Sequence, residues 1–470
     1  MTDESVIRLL LMAVLVRQVI GYWVLFGQEW HVGERIKQWR QPRRRKRQKW
    51  YKKAKPFEGL TRRPVCSMCQ AAEHGDERIE QREPPAKIEQ KRGAKRRVDT
   101  SRQFCPEQAC RYYGWLDRGN IVSNGHPGSG RWRQLHCVVC GKYFQETLGT
   151  IFYGSGVSTE DIVHAIALFC EGVSPRKVAR VYKVDKDTVL GWLREAAGHS
   201  EVVLGYMMHH LHLEQVQMDE LYALLSGPRG GEERGKCWVW AAIDPISKLL
   251  LAIEVGDRSL EVAQRLVHGV MNVLAPGVVP LFVTDQLAAY ARALLGHFGQ
   301  WVERVNEQSG RVVRRWVPEE RLLYAQVKKR RVRRKLVGVS TQVVYCTKEG
   351  VRSVLQAMGQ RINTSYIERV NRTLRAHVPG LGRREEGLAK GEKSLRRRSI
   401  LVMGYYNLCL PHTSLRAALV QPMPTKGSGS AKKWQERTPA MAAGLTDHIW
   451  TVQEFLLVRV PPWRQEEVVV

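Results

Sequence analysis

Two acidic residues, Asp219 and Asp285, stand where an α/β protein usually assembles its chemistry. The hydrophobic pattern predicts a first strand over residues 213–218, with Asp219 at its end. It predicts a fourth strand over residues 280–284, followed directly by Asp285. Strand ends form the crevice in which an open α/β sheet usually binds its ligands. We therefore expect the two carboxylates to face such a crevice.

Glu368 completes the candidate set, because a helix predicted over residues 363–375 carries it. Three converging carboxylates can hold two Mg²⁺ (or Mn²⁺) ions, since hard cations prefer oxygen ligands. Two metals about 3.5–4 Å apart activate the attacking oxygen and stabilise the leaving oxygen of a phosphodiester. The bland alternative is that these side chains cap turns or helices. Glu220 is not expected to join Asp219, because adjacent strand residues point to opposite faces.

Four cysteines in two close pairs predict a structural zinc site. Cys105 and Cys110 form the first pair, Cys137 and Cys140 form the second, and a Gly-rich aromatic loop separates them. Each pair can place two thiolates around one tetrahedral zinc ion, as in a zinc ribbon. A segment this short buries little core, so a metal would supply folding energy. The alternative interpretation is a set of buried free thiols.

A further pair, Cys66 and Cys69, is a weaker candidate. It could bind a second zinc ion with His74, join the first site, or stay without metal in a loose linker. His126 and His136 lie in or beside the ribbon, but four cysteines already complete a tetrahedral site. Both histidines are therefore expected to be bystanders.

Residues 158–198 show the periodicity of three helices with a tight turn before the third. A Ser-Pro start signal precedes the second helix, and Asp185 can cap the third. Three such helices form a helix-turn-helix, whose third helix would enter the DNA major groove with Lys186 and Thr188 leading. A plain three-helix bundle is the alternative that the pattern leaves open.

A strongly basic segment lies between Asp285 and Glu368. Seven of its eight residues are cations: Lys328, Lys329, Arg330, Arg331, Arg333, Arg334 and Lys335. A solvated surface is the bland interpretation, but beside a site that cuts phosphodiesters the segment predicts contact with phosphates. Such contacts provide affinity and carry no sequence specificity.

The composition of the whole chain favours a polyanionic partner. Its 470 residues carry a formal net charge of +29, which points to nucleic acid. An apolar stretch over residues 6–26 precedes a basic run over residues 43–53. Arg17 would lie near the centre of a bilayer, so a buried or amphipathic helix is favoured over a membrane span. No signal-peptide pattern is evident, so a reducing, cytoplasmic setting is expected.

Changes in composition divide the chain into six regions. They are an apolar helix with a basic arm (1–60), a charged linker with a cysteine pair (61–104), a zinc ribbon (105–150), a helix-turn-helix (158–198), a catalytic domain (213–416) and a C-terminal tail (417–470). Strand and helix signals alternate in the fifth region, which is typical of an α/β fold.

Several of these motifs together resemble the DDE transposases of bacterial insertion sequences, in particular the insertion-sequence-one group. The most specific is the run Glu-Arg-x-Asn-x-Thr-Leu-Arg from Glu368 to Arg375. Asp219 followed by Glu220, Asp285 after its strand, and a later Pro-His-Thr-Ser-Leu-Arg run add to the likeness. The resemblance covers roughly residues 105–416, and the first 60 residues have no counterpart in it.

This resemblance implies a zinc finger and a helix-turn-helix joined to a catalytic domain of ribonuclease-H-like fold. It implies that Asp219, Asp285 and Glu368 bind the catalytic metal ions. Asn371 and Arg375, one and two turns beyond Glu368, are candidates to support the metal site or to contact the DNA backbone, with helix packing as the alternative. The expected partners are double-stranded DNA, as element ends and target, and further copies of the chain on that DNA. We expect a cytoplasmic, nucleoid-associated protein.

Three other functions fit parts of the pattern. A non-catalytic DNA-binding regulator derived from a transposase would keep the basic and helical motifs. A nuclease of the same fold would cut DNA without joining it. A membrane-surface protein would use residues 1–53, with their apolar and basic stretches.

Overall fold

The computed structural model describes residues 83–88, 98–226, 236–305, 310–333, 335–382, 389–424 and 429–465. The expected N-terminal arm of residues 1–60, the Cys66–Cys69 pair and most of the charged linker lie outside these ranges. Arg334 of the basic segment lies outside them as well. Within the described ranges, no helix combines the length and the apolar character needed to cross a bilayer.

The four clustered cysteines belong to a small module over residues 99–150, called here the cysteine module. Its antiparallel sheet has the order β1-β2-β3, formed by Ile121–Ser123, Gln134–Cys137 and Tyr143–Gln145. Its core is small, and Tyr112 and Leu135 are among its few fully buried side chains. Such a core buries little apolar area, which agrees with the expectation that a metal contributes to folding.

Three helices follow, called here the helical unit: α1 (Thr159–Cys170), α2 (Pro175–Tyr182) and α3 (Lys186–Met207). Asp185 caps α3 through the backbone N–H of Asp187, as the sequence predicts. A left-handed Lys183 (φ +54°) makes the tight turn before α3. The third helix is longer than predicted, because its C-terminal half stays buried against the domain that follows.

A six-stranded sheet of order β11-β10-β7-β4-β5-β6 forms the centre of the next domain. The strands are β4 (Gln215–Leu224), β5 (Lys236–Ile243), β6 (Leu250–Gly256), β7 (Leu281–Thr284), β10 (Tyr324–Val332) and β11 (Lys335–Tyr345). Strand β7 runs parallel to both of its neighbours, whereas β4-β5, β5-β6 and β10-β11 pair antiparallel. The sheet is therefore mixed, and the predicted α/β class is confirmed at this level.

The first strand differs from its predicted extent in a way that matters for the site. Strand β4 continues to Leu224, because it pairs with β5 along the whole stretch from Gln217 to Leu224. Asp219 therefore lies inside a strand and not at its end. Asp285 does follow the end of its strand, since β7 stops at Thr284.

Helices cover both faces of this sheet. They are α4 (Leu260–Val273), α5 (Ala288–His297), α6 (Lys348–Ala357), α7 (Ser365–His377) and α8 (Glu392–Leu408). On one face Tyr290 of α5 bonds to Glu220 of β4. On the other face the Ile367 N–H of α7 donates to the Gln217 side chain of β4. Helix α8 packs against α3, so it joins the sheet to the helical unit.

Two small hairpins and a returning C-terminal segment complete the described chain. The hairpins are β8-β9 (Gly299–Val305 and Val312–Pro318) and β12-β13 (Ala417–Met423 and Lys432–Gln435). Two short helices follow them, α9 (Pro439–Ala442) and α10 (Val452–Leu457). Beyond α10, Trp463 packs edge-on against Tyr113 and Trp115 of the cysteine module, so the tail folds back onto the early part of the chain.

Candidate functional site

Strand register brings Asp219 and Asp285 together. Strands β4 and β7 pair in parallel from Gln215 opposite Leu281 to Gln217 opposite Val283. The same register, continued by two residues, places Asp285 beside Asp219 immediately after β7 has ended. Carboxylate oxygens of the two residues lie within 4.8 Å of each other.

Glu220 joins them, which corrects the expectation that it would face away. A carboxylate oxygen of Glu220 lies within the same 4.8 Å of Asp219 and Asp285. Backbone alternation does send adjacent side chains to opposite faces of β4. However, β7 ends at Thr284, and the carboxylate of Asp285 just beyond it lies close to both side chains. We call Asp219, Glu220 and Asp285 the acidic cluster.

Glu220 is the buried member of this cluster, with a side chain that is 2% exposed. One of its oxygens accepts a hydrogen bond from the Arg258 guanidinium, and the other accepts one from the Tyr290 hydroxyl at 3.1 Å. Burial, and then the charge of Asp285, raises the pKa of Glu220 to about 7. Burial outweighs the nearby arginine, so this carboxyl holds its proton more strongly than an ordinary glutamate.

Arg258 also lies close to Asp285, because its guanidinium is 4.0 Å from the Asp285 carboxylate. The indole of Trp238 supports the guanidinium from a distance of 4.8 Å. The arginine side chain is 42% exposed, so its free edge is open to solvent at the rim of the cluster. Arg258 was not singled out from the sequence. This residue lies in the loop after β6, and only the order of the strands in the sheet brings that loop close to Asp285.

Asp219 is held by helix α7. The side-chain amide of Asn371 donates to an Asp219 oxygen at 2.7 Å. Burial, and then the charge of Asp285, raises the pKa of Asp219 to about 6. Asn371 is 3% exposed, so the predicted contact of this residue with a DNA backbone does not fit its position. Its other predicted role, support of the metal site, agrees with this hydrogen bond.

Glu368 lies one helical turn before Asn371 on α7, but it is not a member of the acidic cluster. Its carboxylate accepts a hydrogen bond from the Thr364 hydroxyl at 2.8 Å and forms a close ion pair with Lys329. The charge of Lys329 also acts on Asp219, where it opposes the rise in pKa. Lys329 of β10 therefore neutralises Glu368, which was predicted to be the third metal ligand beside Asp219 and Asp285.

The acidic cluster fits a divalent cation in its donor chemistry. All three members offer carboxylate oxygens, which are the preferred ligands of Mg²⁺ and Mn²⁺. Asp285 stays partly exposed, so the cluster is open on one side. One Asp285 oxygen also accepts from the Leu287 N–H at 2.9 Å, which fixes the carboxylate after the strand end. Asp285 can therefore cap this turn with one carboxylate oxygen and bind a metal ion with the other, so the two interpretations are compatible.

The four cysteines of the cysteine module also converge. The sulfur atoms of Cys105, Cys110, Cys137 and Cys140 lie within 4.8 Å of one another, and those of Cys105 and Cys140 are 3.5 Å apart. A tetrahedral zinc ion with bonds of about 2.3 Å needs sulfurs about 3.8 Å apart, so this set fits zinc. His126 and His136 remain outside the cluster, since His136 stacks on Tyr143 and His126 contacts the Gly130 carbonyl.

The basic segment forms a hairpin, called here the basic ribbon, made by β10 and β11. Strand β7 covers only Tyr324–Gln326 of β10, whereas the β10-β11 pairing continues to Val332 opposite Lys335. The ribbon therefore extends beyond the rest of the sheet. Lys329 faces the carboxylates, and the exposed cations Arg330, Arg333 and Lys335 lie toward the tip, with Lys328 half-buried at the base. Arg331 also lies on β10.

The remaining predicted DNA contacts lie at the surface. Lys186 and Thr188 are exposed in the first turn of α3. Arg375 is exposed on α7, and its charge reaches Asp219.

Comparisons with known proteins place the chain only loosely. No family model matches it, and no curated protein matches it. A Mos1 transposase paired-end complex with the left transposon end is similar at 14% identity and a TM-score of 0.14, covering 30% of this chain and 58% of that chain. The Mos1 strand transfer complex is similar at 13% identity and a TM-score of 0.13, covering 30% of this chain and 56% of that one. This chain thus spans little more than half the length of either neighbour. Similarity at such low TM-scores defines neither its fold family nor its activity.

Proposed function

We propose that this protein is a metal-dependent DNA transposase of the DDE type, with a ribonuclease-H-like catalytic domain. The observation that carries the proposal is the meeting of Asp219 and Asp285 across parallel strands, with Glu368 on the helix that holds Asp219. The resemblance in sequence to insertion-sequence transposases names the same three residues. The charge of the chain supplies the reason to choose DNA as the substrate.

Asp219 and Asp285 would hold the divalent cations, with Glu368 as the third ligand once Lys329 has moved to a DNA phosphate. Bound metal ions would supply activation of the attacking oxygen and stabilisation of the leaving oxygen. Asn371 keeps the Asp219 carboxylate oriented through its hydrogen bond. Arg258, whose guanidinium lies 4.0 Å from the Asp285 carboxylate, would bind a phosphate next to the reacting one.

We also propose that the cysteine module is a zinc ribbon and that the helical unit is a helix-turn-helix. The sulfur geometry supports the first assignment, and the capped α3 after its left-handed turn supports the second. Together they would hold the element ends, while the catalytic domain joins a 3′-hydroxyl to target DNA. Action as a homo-oligomer on DNA in the nucleoid is part of the same proposal.

The test is a joining reaction with purified full-length chain, Mg²⁺, target DNA and duplexes that carry the repeats flanking the gene. Asp219→Ala, Asp285→Ala and Glu368→Ala should each abolish joined product while they leave duplex binding intact. Glu320→Ala is the matched control, because Glu320 is an exposed carboxylate outside the site, and it should join normally. Full joining by all three variants would refute the catalytic assignment.

A second candidate is a non-catalytic DNA-binding regulator. The ion pair between Lys329 and Glu368 favours it, because the lysine ammonium already neutralises the carboxylate that would be the third metal ligand. Calorimetric titration with Mn²⁺ separates the two functions. Binding that Asp285→Ala abolishes supports the enzyme, whereas no binding with or without duplex DNA supports the regulator. A nuclease that cuts without joining is separated by the product of the joining reaction itself.

A further inference from the structure

Helices α3 and α8 pack together at their middles and leave a groove beside their N-terminal halves. The Ser200 hydroxyl of α3 donates to the Ile400 carbonyl of α8 at 2.9 Å, and Arg396 pairs with Glu201 at 2.7 Å. Toward the start of both helices lies a groove with a volume of about 840 Å³. It is bounded by the helical unit on one side and by the sheet-bearing domain on the other.

The two helices present matching side chains across this groove. Lys186, Leu190 and Arg194 line it from α3, each one helical turn after the last. Lys390, at the approach to α8, and Arg397 line it from the other side. Each side of the groove therefore carries two cations. They are Lys186 and Arg194 on the α3 side, and Lys390 and Arg397 on the other side.

The remaining lining adds to the positive charge. Arg176 lies at the start of α2 and is exposed. Arg398 is buried at the back of the groove, where its guanidinium donates to the carbonyls of Phe169 and Val173. Among the described residues, the lining contains a single carboxylate, Asp187, which Lys186 approaches at 3.4 Å.

Four of these cations form no ion pair within the described part of the chain: Arg176, Arg194, Lys390 and Arg397. Like charges placed close together on two facing helices repel one another, and an anion between them removes that repulsion. Lys186 and Arg194 are eight residues apart, a distance of about 12 Å along a helix. A ligand that meets both ends must carry charge along its length, as the backbone of a nucleic acid does.

We propose that this groove binds the sugar-phosphate backbone of the same duplex DNA that α3 contacts, so that the helical unit and α8 hold it jointly. The inference rests on the proposed function and deepens it. Thr188 does not line the groove, so it stays available to meet a base edge on the other side of α3. Lys186 and Arg194 hold the backbone from α3, and Lys390 and Arg397 hold it from the catalytic domain.

The experiment measures binding of the full-length chain to a labelled duplex of about 30 base pairs across a salt series, without divalent metal. Each phosphate contact contributes about −0.9 to the slope of log affinity against log salt. Lys390→Ala with Arg397→Ala should therefore weaken binding and reduce the slope by about two. Lys390→Arg with Arg397→Lys should keep the slope, because both charges remain.

The matched control removes two exposed cations from a helix elsewhere, Lys348→Ala with Arg352→Ala on α6, and should leave the slope unchanged. A slope that stays unchanged in the groove variant overturns the inference. So does tighter binding of duplex RNA than of duplex DNA, or full competition by inorganic phosphate alone. If the wild-type chain fails to join DNA while the groove variant still shows the reduced salt slope, the proposed catalysis is contradicted and the groove proposal is not.

Discussion

At the scale of single residues, Glu220 and Arg258 form a pair whose two ends differ in exposure. The Glu220 side chain is 2% exposed, whereas that of Arg258 is 42% exposed. Removal of Arg258 leaves the buried Glu220 carboxyl with one hydrogen-bond donor fewer. The loss of a hydrogen-bond partner lowers the free energy of unfolding more for a buried group than for an exposed one. The pair is therefore a sensitive point for both stability and chemistry.

Arg258→Ala should lower the free energy of unfolding by about 1–3 kcal/mol, because buried Glu220 loses its charged donor. Urea denaturation of the full-length chain measures this. Glu220→Gln with Arg258→Ala should be less destabilised than the two single changes added together. Arg265→Ala is the control, since its carboxylate partners Glu254 and Glu261 are both more exposed than Glu220, so this variant should lose less stability. Equal losses in both arginine variants would contradict the argument.

The raised pKa values of Asp219 and Glu220 give a prediction about pH. Burial raises the Glu220 pKa from 4.5 to about 7, so the folded state keeps a proton that the unfolded state releases in that window. The metal-free protein should therefore lose stability as pH rises through this window. Mg²⁺ binds the ionised carboxylates, so it should raise Tm more at about pH 8 than at about pH 5.5. An equal rise in Tm at both pH values, measured by thermal denaturation against a chelator control, would speak against the acidic cluster as the metal site.

Residue patterns identified part of this site. Asp285 could be found because a short apolar strand precedes it. The distinctive run of residues on its helix singled out Glu368, which lies outside the acidic cluster. Glu220 and Arg258 could not be found. Their approach to Asp285 depends on the register between β4 and β7 and on where β7 ends, and both are long-range features that a local pattern does not contain.

At the scale of elements, the cysteine module combines short strands with a small core. Its sheet has strands of three or four residues, and few side chains form its core. Arg459 from the C-terminal segment lies over the ring of Phe144, a member of that core, at 5.1 Å. The module is thus stabilised by contacts at its edge and, as we propose, by zinc at its centre.

Metal analysis of the full-length chain should find about one zinc ion per molecule. A strong chelator should then make residues 99–150 sensitive to protease, because the small module loses the metal-sulfur bonds that contribute to its folding. Cys137→Ser should show the same sensitivity without chelator. Cys346→Ser, which changes an exposed cysteine outside the cluster, should keep its zinc and its resistance. A metal-free chain that resists protease as well as the native one does would refute the zinc ribbon.

Element boundaries show what the local pattern can and cannot provide. The helix starts at Ser174 and Asp185 could be predicted from capping chemistry. The Asp185 side chain accepts the capping hydrogen bond, whereas the Ser174 side chain makes none. The length of α3 could not be predicted, because its last turns depend on packing against a distant helix, α8. The extension of β4 beyond Asp219 likewise depends on its pairing with β5.

At the scale of the whole molecule, the described chain consists of three successive parts joined by side-chain contacts. Helix α8 links the helical unit to the sheet through Arg398, and the C-terminal segment links α3 to the cysteine module through Arg464 and Gln465. The sequence predicted the order of these parts from composition and motifs. It did not predict their packing, because no local signal shows that a tail residue such as Trp463 meets Tyr113.

That last contact has a consequence for how the protein is made. A ribosome delivers the cysteine module some 350 residues before Gln465, whose side chain bonds to the Leu116 N–H and the Gly114 carbonyl. Gly114 leaves no room for a side chain of its own, since a Cβ there would lie 2.6 Å from the Trp463 ring. The surface around Gly114 therefore stays uncovered until the ribosome has synthesised Trp463 and Gln465. A nascent or truncated chain would lack the cover that the finished one has.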